Sequence, residues 1–115
     1  MAGLDRDQQL FGGRNRTALL LAVYLLDESY PSELAAILGV RLYTVQSILA
    51  DLEGEGVIVS RLLGRTRRVS LNPRYFAHRE LASLLSKLGR QDVNLQRLLS
   101  SRRRRPRQVS KPGLP

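Results

Sequence analysis

Cysteine and tryptophan are both absent from this chain. Without cysteine there are no disulfides and no thiolate metal ligands. Histidine occurs once, at His78, and a single imidazole builds neither a metal site nor a Ser/His/Asp constellation. His78 therefore reads as a surface or helix-packing residue. No glycine-rich phosphate loop follows a strand pattern, and no paired carboxylates sit in an apolar context. Long hydrophobic runs are reduced to one, TALLLAVYLL from Thr17 to Leu26. It is too short to span a bilayer. Asp27-Glu28 follows it, where a secretory signal would carry a small-residue cleavage site. The expectation is a cytoplasmic binding protein, not an enzyme, with no cofactor, no metal and no membrane partner. Its 115 residues suit one domain with tails, a length that buries a core without staples.

Acidic residues are scarce and unevenly placed. Ten stand against 19 Lys and Arg, for a formal net charge of +9. Between Arg61 and Arg90 the one acid is Glu80, and from Arg102 onward there is none. The segment from Arg102 to Pro115 holds Arg102, Arg103, Arg104, Arg105, Arg107 and Lys111, with three prolines and no periodicity. That composition reads as a disordered basic tail, either lying along phosphates or simply solvated. Asp27, Glu28, Glu33, Asp51, Glu53 and Glu55 are gathered instead around the middle of the chain. A polyanion is thus attracted to one side of the molecule.

The organising stretch is SELAAILGVRLYTVQSIL, from Ser32 to Leu49. Leu34, Ala35 and Leu38 share one helical face. Gly39 ends that helix, because glycine takes the left-handed position past a helix end without a Cβ penalty. A second helix, from Arg41 to Glu53, puts Val45, Ile48, Leu49 and Leu52 on its inner face. Leu42, Tyr43, Gln46 and Ser47 fall on the other, an unusual set for a plain solvated surface. Asp51, Glu53 and Glu55 read as a solvated face at its end. Arg41 stands where Ser or Thr is the usual cap, which places a cation there instead. Two helices and a glycine-containing turn make a helix-turn-helix pattern.

Two β-branched-rich runs follow, flanking Gly64-Arg65. A two-residue turn with glycine first pairs Leu63 with Thr66, Ser60 with Val69 and Ile58 with Leu71. In that register Ile58, Val69 and Leu71 share the core side, and Arg68 and Ser70 face away. Arg61, Arg65, Arg67 and Arg68 make the hairpin basic.

In this order, SELAAILGV, then TVQSILADLEGEGVIVSR, then GRTRRVSLNP, residues Arg16 to Leu71 resemble a bacterial or archaeal winged-helix regulator of the ArsR/MarR-like kind. The resemblance covers about half the chain. It implies a mainly α fold with a small β-hairpin wing, and a winged helix-turn-helix that binds double-stranded DNA and regulates transcription. Metal-sensing members use Cys and His clusters, which this chain lacks. In such a protein the second motif helix enters the major groove N-terminal end first. Tyr43, Gln46 and Ser47 then reach base edges, Leu42 touches a thymine methyl, and Arg41 and Thr44 hold phosphates. Wing residues Arg65, Thr66 and Arg67 meet the backbone or the adjacent minor groove.

The flanks complete a four-part division. Residues 1–13 form an N-terminal arm whose Leu10 and Phe11 can dock. Residues 14–72 are the DNA-binding domain, 73–101 the C-terminal dimerisation helices, and 102–115 the basic tail. The first helix, apolar nearly all round, needs cover on two sides, from the C-terminal helices or from a second subunit. Asn72-Pro73 reads as a helix start, leading to the stripe Leu81, Leu84, Leu85 and Leu88, with Gly89 as its stop. Asp92 caps a last helix carrying Leu95, Leu98 and Leu99 on one face. In the resembled family the first and last helices pair across a two-fold axis. The expected homodimer interface therefore comprises Leu21, Leu25, Leu81, Leu84, Leu85 and Leu88. The alternative is an antiparallel pack of the C-terminal helices on the first within one chain. Two other functions remain open: a winged-helix adaptor for a protein partner, and an architectural DNA binder without sequence preference. An effector site is not assignable from the residues.

Overall fold

A computed structural model describes residues 10–103 of the chain. The first nine residues of the expected arm, and the tail from residue 104 onward, lie outside the described residues. The elements are α1 (Arg14–Leu26), α2 (Pro31–Leu38), α3 (Leu42–Gly54), β1 (Ile58–Leu63), β2 (Thr66–Leu71), α4 (His78–Gln91) and α5 (Val93–Arg103). The described chain is mainly helical, with one two-stranded antiparallel hairpin. Among the described residues no single helix is long and apolar enough to cross a membrane.

α1 is the buried axis. Leu19, Leu20, Leu21, Ala22, Val23 and Leu26 are all buried, which uses nearly the whole circumference of the helix. Its cover comes from one chain: α2, α4, α5 and β2 all pack on it. Within the chain, the α4–α5 pair folds back over it. Leu21 and Leu85, both expected at a dimer interface, are fully buried inside the protomer. Neither has surface left to offer a second copy. Leu25, Leu81 and Leu88 are half-buried against the same core. Of the six expected interface leucines, Leu84 alone is exposed.

Gly39 ends α2 in the left-handed conformation at φ 69, as its place in the sequence demands. Between α2 and α3 the chain bends by 116°. Leu34, Val45, Leu49 and Leu52 from these two helices fill the space beside α1. The hairpin register pairs Ile58 with Leu71, Ser60 with Val69 and Leu63 with Thr66. Gly64 takes φ 68, and Arg65 is not in the positive-φ region, which is the pattern of a turn with glycine at its first central position. Ile58 and Val69 face the core.

One connection has no counterpart in the pattern of the sequence. Ser29, between α1 and α2, exchanges two backbone hydrogen bonds with Val69, at 3.0 and 2.8 Å. Its hydroxyl donates to Glu33 at 2.6 Å. β2 is therefore fixed on both edges, by β1 and by this bridge.

The Asn72-Pro73 helix start is not formed. α4 begins at His78, five residues after Pro73. The Asn72 amide donates to the Gly56 carbonyl at 2.9 Å, and its oxygen accepts from the Arg74 N–H at 2.9 Å. These bonds close a turn and hold the chain to the end of α3, which removes Asn72 from capping duty. Gly89 is not a stop either. It lies inside α4, and a Cβ there would meet Leu25 at 3.2 Å. Its role is the close approach of α4 to α1.

Asp92 does cap α5. Its Oδ1 accepts from the Leu95 N–H at 3.0 Å, and the residue is buried. Leu95 and Leu99 face the core, whereas Leu98 is exposed. Asp92→Ala should cost about 1 kcal/mol through loss of the cap, read by urea denaturation of the full chain. Asp92→Asn, which keeps the acceptor, should recover most of it.

Candidate nucleic-acid interface

The apolar residues of α3 that spacing sends inward leave the opposite face in water. Tyr43 is 76% exposed. Arg41, Leu42, Gln46 and Ser47 are also exposed, and Thr44 is half-buried. No side chain caps the start of α3, where Arg41 is the N-cap residue in extended conformation. The first-turn N–H groups of such a helix carry partial positive charge and favour an anion.

The hairpin tip stands beside this face. Leu42 and Gln46 line one wall of an open groove of about 590 Å³. Arg65, Thr66, Arg67 and Arg68 line another, and Tyr30, Pro31 and Ser32 at the start of α2 complete it. Five of the nine expected contact residues thus meet in one groove: Leu42, Gln46, Arg65, Thr66 and Arg67. Arg41, Tyr43, Thr44 and Ser47 lie outside its lining, on the first turns of α3.

The electrostatics are more structured than the charge count suggests. Arg67 donates to Glu53 of α3 at 2.7 Å. Arg61 donates to Glu28 at 2.7 Å, and Arg16 to Asp51 at 3.2 Å. Glu53 and Asp51, expected on a solvated face, are partners that tie the hairpin and α1 to α3. Arg68 lies over the Tyr30 ring, 5.3 Å from its centroid, a cation–π contact that anchors the base of the hairpin at the start of α2. Arg41 and Arg65 have no acidic partner among the described residues.

No family model matches the chain, and no curated protein does. Among the described residues there is no cluster of three or more His, Cys, Asp or Glu that could hold a metal ion. Residues missed in the sequence were Tyr30, Ser32 and Arg68. The Arg68 pairing was hidden because period-2 alternation only says which side of the ribbon it takes, and Tyr30 belongs to a segment 38 residues earlier.

Proposed function

We propose that this chain is a winged helix-turn-helix protein of the ArsR/MarR-like kind that binds duplex DNA sequence-specifically as a homodimer and regulates transcription. The observation that carries the reading is the shared groove, in which Leu42 and Gln46 of α3 stand across from Arg65, Thr66 and Arg67 of the hairpin. A helix presenting hydrogen-bonding side chains to base edges, with cations beside it for phosphates, is the division of labour that sequence-specific recognition needs. The 116° bend between α2 and α3 supports it, since helix-turn-helix pairs cross at about 90–120°. So does the hydrogen bond from Arg67 of β2 to Glu53 of α3 at 2.7 Å, which ties the hairpin to α3.

In this reading α3 lies in the major groove. Gln46 bonds adenine N6 and N7, Leu42 packs on a thymine methyl, and Tyr43 and Ser47 reach neighbouring edges. Arg41, Thr44 and the open first turn of α3 meet phosphates. Arg65, with no acidic partner among the described residues, reaches the backbone or the minor groove, and Thr66 follows it. With Leu21 and Leu85 covered, apolar surface for a second copy remains on α5, at Val93 and Leu98.

Binding-site selection from random duplexes tests the proposal. The expected result is an enriched motif in two half-sites about one helical turn apart. Recovery of no motif would leave only non-specific binding. Gln46→Ala should relax preference at one base position per half-site by about 1–3 kcal/mol, read by competition gel shift. Equal weakening on every sequence would remove Gln46 from base readout.

A further inference from the structure

The most exposed large apolar side chain among the described residues belongs neither to the core nor to the groove. Phe76 is 90% exposed, on the turn before α4. Its ring makes a tilted contact with that of Tyr75, itself half-buried against the core, with centroids 5.0 Å apart. Beyond it, Leu84 on α4 is 39% exposed. Leu84 lines a shallow hollow of about 450 Å³ with Arg79, Glu80, Ser83 and Lys87. Every residue of that hollow faces water. Neither Arg79 nor Lys87 has an acidic partner among the described residues. Exposed Arg74 and Arg90 extend the positive charge before and beyond the hollow, with Glu80 the single acid.

We propose that the surface from Phe76, on the turn before α4, to Lys87 of α4 docks an acidic amphipathic segment of a partner protein. An apolar anchor of the partner seats against Leu84 and Phe76, and its carboxylates meet Arg79 and Lys87. The eight residue steps from Arg79 to Lys87 span about 12 Å of helix. That suits two carboxylates two turns apart on a partner helix with a leucine pair between them. An exposed aromatic, and a leucine lining a small hollow among cations, are the kind of apolar anchors that carry binding energy at protein interfaces.

Charge decides among the occupants. A second copy placed here by two-fold symmetry would bring a net-positive face onto itself, and like charges so placed are repulsive. Duplex DNA would satisfy the cations but leave Phe76 and Leu84 without gain, and none of these residues lines the α3–hairpin groove. An acidic protein segment satisfies both the charge and the apolar surface. The proposal does not rest on DNA binding by α3.

The test uses the full chain, isotopically labelled for amide spectra. It is titrated with a synthetic helical peptide carrying glutamates two turns apart around a Leu-Leu pair. A peptide with lysine for each glutamate is the control. The expected result is saturable shifts confined to residues 75–88, with no response to the lysine peptide. Arg79→Glu combined with Lys87→Glu, both at exposed positions, should weaken binding on the order of tenfold, and Phe76→Ala should weaken it further. Absence of binding, equal binding by the double variant, or shifts centred on α3 and the hairpin would overturn the proposal. So would loss of a dimer in Leu84→Asp by sedimentation, which would give the face to a second copy, or duplex DNA shifting the same α4 amides.

Discussion

Raising salt from about 50 to 200 mM should lower the affinity for duplex DNA by roughly 10³- to 10⁵-fold, if a dimer neutralises about six to ten phosphates. The number of cations actually available sets where in that range the protein falls. Arg41 and Arg65 have no acidic partner among the described residues, whereas Arg67 and Arg61 are held by Glu53 and Glu28 at 2.7 Å. A paired arginine neutralises a phosphate only by leaving or sharing its carboxylate. Arg65→Ala should therefore reduce the salt slope by about one per site contacted and weaken all sequences alike. Glu53→Gln should do the reverse, raising affinity for every duplex because Arg67 is released. Fluorescence anisotropy across a salt series measures both. A slope near zero would end the DNA-binding proposal. A Glu53→Gln protein that binds no tighter would show that Arg67 stays outside the interface.

The same ion pairs show where the sequence stopped being readable. α2, Gly39 and α3 were legible because helical period and a left-handed glycine are local properties, fixed within a few residues. The hairpin register was legible for the same reason: the Gly64-Arg65 turn and period-2 alternation leave one pairing that buries Ile58 and Val69. Glu53 with Arg67, Glu28 with Arg61 and Asp51 with Arg16 are pairings across 14, 33 and 35 residues. Nothing in a helical wheel says that a surface glutamate will meet a strand. Asn72 failed for a related reason. As a local signal Asn-Pro favours a helix start, but the Gly56 carbonyl lies within reach of the Asn72 amide only after the hairpin has folded back. Gly89 likewise reads as a stop until Leu25 is seen pressing on it. The exposed face of α3 was legible as a face; its enclosure into a groove needed Tyr30 and Arg68, which meet only in three dimensions.

The leucine stripe of α4 divides into two kinds of residue, and stability separates them. Leu85→Ala should destabilise the chain by about 2–5 kcal/mol, because the side chain is fully buried and its loss leaves a cavity beside α1. For a domain of this size each kcal/mol moves the melting temperature by about 4–8 °C, so the drop should be at least about 8 °C. Leu21→Ala on α1 should behave the same way, being equally buried. Leu84→Ala, one residue away on the exposed side, should stay within about 0.5 kcal/mol of the parent. This ordering follows from α4 and α5 covering α1 within one chain. Were Leu21 and Leu85 interface residues instead, their truncation would make the melting temperature strongly dependent on protein concentration. Leu85→Ala melting at the parent temperature, or melting differently only on dilution, would refute the single-chain core. A large loss independent of concentration would place α4 and α5 inside the protomer and leave α5's outer residues, Val93 and Leu98, as the surface on which a second copy can be sought.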